Sequence, residues 1–91
     1  MPVTVRIPPY WRKLTGRQAD VAADGTTVGD VLADVVRRFP DLQGLVFGED
    51  GQLARNIAVF LNRESINRRD GEQTPVAPGD HLMVVLMIAG G

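Results

Sequence analysis

The sequence closes on Ala89-Gly90-Gly91, and that end is its strongest candidate for chemistry. Glycine has no Cβ, so Gly90-Gly91 fits extended into a channel too narrow for any side chain. Two residues span up to ~7 Å, enough to carry a carboxylate past a domain surface. A free carboxylate is a poor electrophile and needs activation. Adenylation by a partner holding ATP turns the Gly91 carboxyl into a mixed anhydride. A sulfide or persulfide that then displaces AMP leaves a thiocarboxylate, a soft sulfur nucleophile. The competing reading is a frayed end with no role.

The remaining residue types offer few alternatives. The absence of Cys excludes disulfides, thiolate metal sites and a cysteine nucleophile, and it leaves no internal thiol to capture an activated acyl group. One histidine, His81, excludes a multi-histidine metal cluster, and at the start of a strand it reads as a surface residue. The ten basic residues include a single lysine, Lys13, a skew read as genome composition. They face eleven acidic ones for a net charge of −1, which argues against general attraction to nucleic acid or an anionic membrane. No apolar run nears the ~18 residues of a membrane span. The start, MPVTVRIPPYWRK, has too short an apolar core for a secretory signal, so a cytoplasmic location is expected. With so few catalytic groups, the sequence reads as a carrier, a binder or a substrate rather than an enzyme. No bound cofactor or metal is expected.

Ninety-one residues, 44% of them hydrophobic, make one domain, with the segment 1–88 folded and 89–91 a flexible tail. Val3 to Ile7 alternates apolar and polar with period two, the mark of a half-buried strand. Pro8-Pro9 stops it. A long loop over 8–17 leads to a second strand at Gln18 to Ala22, with Tyr10 and Trp11 covering the core from the loop. Thr26 or Thr27 caps the one clear helix, and Thr27-x-x-Asp30 resembles a capping box. Val28, Val31, Leu32, Val35, Val36 and Phe39 form one apolar stripe at helical spacing. Arg37 and Arg38 suit the last turn, and Pro40 ends it. Leu42, Leu45, Val46 and Phe47 predict a short helical turn on the core. Ile57 to Leu61 is a strand, Ile66 adds a short strand segment, and Pro78-Gly79-Asp80 is a turn. Leu82 to Ile88 is apolar on both faces, which predicts a central strand parallel to the first. That order gives an α+β fold, a β-grasp (ubiquitin-like) mixed sheet packed on one main helix.

Arg12-x-x-Thr15-Gly16, Thr27-Val28-Gly29-Asp30-Val31-Leu32, Arg38-Phe39-Pro40, Ile57 to Asn62, Thr74-Pro75-x-x-Pro78-Gly79-Asp80 and Ala89-Gly90-Gly91 together carry a resemblance across nearly the whole chain. The sequence resembles the ThiS/MoaD family of sulfur carriers, most of all its CysO-type, cysteine-biosynthesis subgroup. The resemblance implies a β-grasp fold, activation by an ATP-dependent adenylyltransferase of the MoeB/ThiF type, and a C-terminal thiocarboxylate (1-thioglycine) at Gly91. It also implies a sulfur-acceptor enzyme making cysteine, molybdopterin, the thiamin thiazole or a secondary metabolite.

Alternation in the last strand, set by analogy with ubiquitin, turns Leu82, Val84 and Leu86 toward the helix. Met83, Val85 and Met87 then lie on the open face. The same reasoning puts Ile57, Val59 and Leu61 inside and Phe60 outside. Phe60, Met83, Val85 and Met87 therefore predict an apolar partner-binding patch running toward Ala89 and the tail. A dimer interface or a second covering layer is the other reading of such a patch. Arg37-Arg38 and Arg68-Arg69 read as solvated charges. Two further functions stay open: a ubiquitin-like modifier conjugated through Gly91, and a non-covalent β-grasp interaction domain with an inert tail.

Overall fold

Val3 and Val5 are buried while Thr4 and Arg6 are not, so the first strand behaves as its period-two pattern requires. The computed structural model describes residues 2–87. In it β1 (Val3–Arg6), β2 (Asp20–Ala23), β3 (Ile57–Leu61), β4 (Glu64–Ser65) and β5 (His81–Leu86) form one sheet in the order β2-β1-β5-β3-β4. β5 is central. It pairs in parallel with β1, Val5 beside Leu82, and antiparallel with β3, Val59 opposite Val84. The helix α1 (Val28–Arg38) covers one face, and the short α2 (Gln43–Val46) closes one side of the core. This is the β-grasp arrangement that the order of patterns predicts. Among the described residues, no helix is long and apolar enough to cross a membrane.

α1 forms where its apolar stripe can be buried. Val28, Val31, Leu32, Val35 and Val36 all lie in the core, and Phe39 packs partly buried at its end. Burying one such side chain is worth roughly 1.5–3 kcal/mol. The Thr27 side chain accepts the Asp30 amide at 3.2 Å, as an N-cap should. The capping box is only half formed, because the Asp30 carboxylate accepts from the Thr26 hydroxyl instead of from a backbone amide. A second tie is supplied from outside the helix. The Val28 amide donates to the carbonyl of buried Thr74, at 3.0 Å. At the other end, Asp34 pairs with Arg37 and Arg38 and accepts the Asp24 amide at 3.0 Å. That amide is the main reason its carboxyl lies below the ordinary value of 3.8. Partial burial opposes it, and the two guanidiniums reinforce it.

Several expectations shift. The long loop after β1 folds into a 3₁₀ turn, Pro9–Thr15, started by proline and closed by the hydroxyl of buried Thr15, which lies 3.2 and 2.9 Å from the Arg12 and Gln18 carbonyls. Trp11 covers the core from this turn, but Tyr10 points away from it and is 72% exposed. β2 begins at Asp20 rather than Gln18, since Gln18 is drawn into that closure. Leu45 is exposed on α2, whose core contact is made by Val46 with Leu42 just before it. Ile66 is buried from a 3₁₀ turn, and the short strand is Glu64–Ser65 instead. β5 starts one residue early, at His81, and ends at Leu86. Ile88 and the tail residues Ala89, Gly90 and Gly91 lie outside the described residues.

Candidate functional site

The start of β5 is fixed by a polar lock. Gly79 has φ +89°, a conformation open to glycine, and lets Ala77–Asp80 turn with the Asp80 amide donating to the Ala77 carbonyl at 3.0 Å. The Asp80 carboxylate accepts from the Ala77 amide at 2.8 Å and from the Asn62 side-chain amide at 3.1 Å. These two donors, the Ala77 amide foremost, hold its carboxyl below the ordinary value. Asn62 then uses its side-chain oxygen to accept the His81 amide at 3.0 Å. The turn between β3 and β4 is thereby tied to the first residue of the central strand.

From that anchored start β5 alternates cleanly. Leu82 and Val84 are buried and Leu86 is half-buried, all toward α1. Met83 is 42% exposed, Val85 36% and Met87 50%. Phe60 stands opposite Met83 and Ala58 opposite Val85, both half-buried. The structure thus brings Phe60, Met83 and Val85 together on the face away from α1. Met87 lies just past the strand, and its amide donates to the Asn56 carbonyl at 2.8 Å. That bond continues the β3 side of the pairing one step toward residue 88.

The 3₁₀ turn adds residues that the sequence pattern did not bring here. Tyr10 and Arg12 line a groove of about 300 Å³ with Met83 and Val85. Arg12 is oriented by its Nε, which donates to the Ile7 carbonyl at 3.0 Å. Arg6 and Arg63 border a second depression, of about 570 Å³, with Phe60 and Met83. The cue available for Tyr10 was its place beside Pro8-Pro9, where no strand pairing holds the chain against the sheet. His81 is exposed, as its position at a strand start suggested.

The model of the ThiS family matches residues 5–91. The sulfur carrier protein CysO of Mycobacterium tuberculosis is 32% identical over 93 residues, with 100% of both chains covered. Small archaeal modifier protein 1 of Haloferax volcanii is 41% identical over 76 residues, covering 82% of this chain and 83% of that one. Among solved structures, the BexX/CysO complex of Amycolatopsis orientalis holds a chain that superposes with a TM-score of 0.88 at 35% identity, covering 98% of this chain and 99% of that one. Fold, length and sequence agree on one assignment: the chain belongs to the ThiS family and is a sulfur carrier protein.

Proposed function

We propose that Gly91 is the residue that carries the sulfur, with Gly90 giving it the slender approach an enzyme channel needs. The Gly91 carboxylate attacks the α-phosphate of ATP held by a MoeB/ThiF-type enzyme, and pyrophosphate leaves. Sulfide then attacks the acyl carbon, the bond to AMP breaks, and a thiocarboxylate remains. The loaded tail carries its sulfur into a biosynthetic acceptor enzyme. The observation that carries this reading is the direction of β5, whose exposed Met83 and Val85 form an apolar strip running toward the strand's C-terminal end at Leu86. The family match extending through residue 91 supports it. The chain is then a cosubstrate that enzymes load and unload in the cytoplasm.

The test is intact-mass spectrometry after incubation with ATP, sulfide and such an adenylyltransferase. Replacement of one oxygen by sulfur, assigned by fragmentation to Gly91 so that oxidation is excluded, is the expected result. The chain lacking Gly90 and Gly91 should gain nothing. Loading of the truncated chain would overturn the reading. Similarity to a small archaeal modifier protein favours one second reading, conjugation through Gly91 to a lysine of another protein, and an isopeptide-linked adduct would identify it.

A further inference from the structure

β2 stands at the end of the sheet, paired on one side with β1. The Thr4 amide donates to the Asp80 carbonyl at 2.9 Å, so Thr4 turns its backbone groups toward β5. Ala22, opposite Thr4, therefore points both its N–H and its C=O outward, away from the sheet. Asp20, opposite Arg6, does the same by the two-residue alternation. The Ile7 amide fixes this phase independently, since it donates across to the Ala19 carbonyl at 2.7 Å. A row of outward backbone groups is a template on which another strand can pair.

Two side chains of α1 close that edge. The Asp34 carboxylate accepts the Asp24 amide, the next outward-facing donor in the row, at 3.0 Å. Arg38 donates to the Ala22 carbonyl, the acceptor at the middle of the edge. Arg38 and Asp34 also pair with each other at 3.5 Å, with the Asp34 side chain only 11% exposed. Together they take up one donor and one acceptor, as a neighbouring strand would. At the opposite edge of the sheet β4 has two residues, too few to template a strand. Arg38 thus has a task that its place among solvated charges at the helix end did not suggest.

We propose that the outer edge of β2 is a strand-pairing surface for a second copy of this chain, kept shut by Arg38 seated on Asp34. Antiparallel pairing centred on Val21 sets Asp20 of one copy opposite Ala22 of the other. The outward groups of those residues then exchange N–H to C=O bonds in both directions. This register keeps the carboxylates apart. Centring on Asp20 would oppose it to its own copy, and centring on Ala22 would oppose it to Asp24, both like-charge pairs. The pairing needs the Ala22 carbonyl, which is the group that Arg38 occupies. Because β1 lies between β2 and β5, joining two copies this way leaves β5 untouched in each.

The experiment is sedimentation velocity on the full chain across a concentration series, with amide exchange at Ala22 followed in parallel. Arg38→Ala should strengthen self-association at least about tenfold over the parent, and the Ala22 amide should exchange more slowly as its concentration rises. Adding Ala22→Pro should return that variant to the monomer. Proline there removes an outward N–H and leaves the bonds to β1 in place. Adding Phe60→Asp instead, on the open face, should change nothing. Arg38→Met keeps the stem without the donor and should behave like the alanine variant, so it carries the test if Arg38→Ala does not fold. Folded Arg38 variants that associate no more than the parent would overturn the proposal. Association that Phe60→Asp abolishes and Ala22→Pro leaves intact would also overturn it, by placing the contact on another face. Neither result bears on the adenylation of Gly91.

Discussion

Asn62 and Asp80, eighteen positions apart, are joined by a 3.1 Å hydrogen bond that ties the β3–β4 turn to the entrance of β5. Asp80 also accepts from Ala77, and Asn62 from His81, so the pair spans both turns. Replacing Asp80 by alanine removes two acceptor contacts at a solvent-accessible site. The expected cost is about 1 kcal/mol, read as a lower urea midpoint with an unchanged slope. Amide exchange at His81 and Leu82 should quicken more than at Val31 in the helix.

Acid should weaken the fold through Asp34 and Asp80. Both carboxyls lie below their ordinary 3.8 in the folded chain. The unfolded chain therefore takes up protons first as pH falls. The stabilisation is complete above about pH 4 and is lost as pH drops through the depressed folded values. Asp34→Asn should flatten the fall in unfolding free energy below that pH. A parent-like slope in the variant would show that other carboxylates dominate.

Phe60 is half-buried opposite Met83 on the face away from α1. Phe60→Asp should keep the circular dichroism spectrum and cost only about 1 kcal/mol of stability, well below the ~3–5 kcal/mol of truncating a core aromatic. Its effect should appear in KM for the activating enzyme. Unchanged adenylation kinetics would remove Phe60 from the docking surface.

Gly25 sits against the first turn of α1, where an added Cβ would lie 2.7 Å from the Val31 amide nitrogen. Gly44 in α2 faces open space. Gly25→Ala should therefore destabilise the chain by about 1–3 kcal/mol, the usual cost of forced overpacking. Gly44→Ala should be neutral or stabilising by up to ~1 kcal/mol, because alanine favours the helix. Thermal midpoints of the two variants, measured together, check the contrast.

The two periodicities explain what could be read ahead of the structure. β3 is the predicted Ile57–Leu61, and α1 buries five of its predicted stripe residues, because burial there follows spacing alone. Parallel placement of β5 beside β1 followed from a strand apolar on both faces. Local hydrogen bonding was harder to see. The 3₁₀ turn over Pro9–Thr15 depends on the Thr15 hydroxyl meeting two carbonyls, and a lone threonine in a polar loop does not advertise that. Tyr10 and Trp11 are adjacent and equally aromatic, yet only the backbone path decides that one is buried and the other exposed. The apolar strip of Met83, Val85 and Phe60 was legible from alternation. The arginines beside it were not, since Arg6, Arg12 and Arg63 come to border the two depressions at Met83 only when three separate segments fold together.

The central position of β5 also has a mechanical meaning. Force applied along this strand from its tail end acts parallel to the sheet, with hydrogen-bonded neighbours on both sides. Those bonds are loaded side by side, in shear, and must yield together. An edge strand such as β4 could be peeled away one bond at a time. In the loading cycle proposed above, a tail drawn repeatedly into and out of enzyme clefts pulls on the part of the molecule best built to resist it.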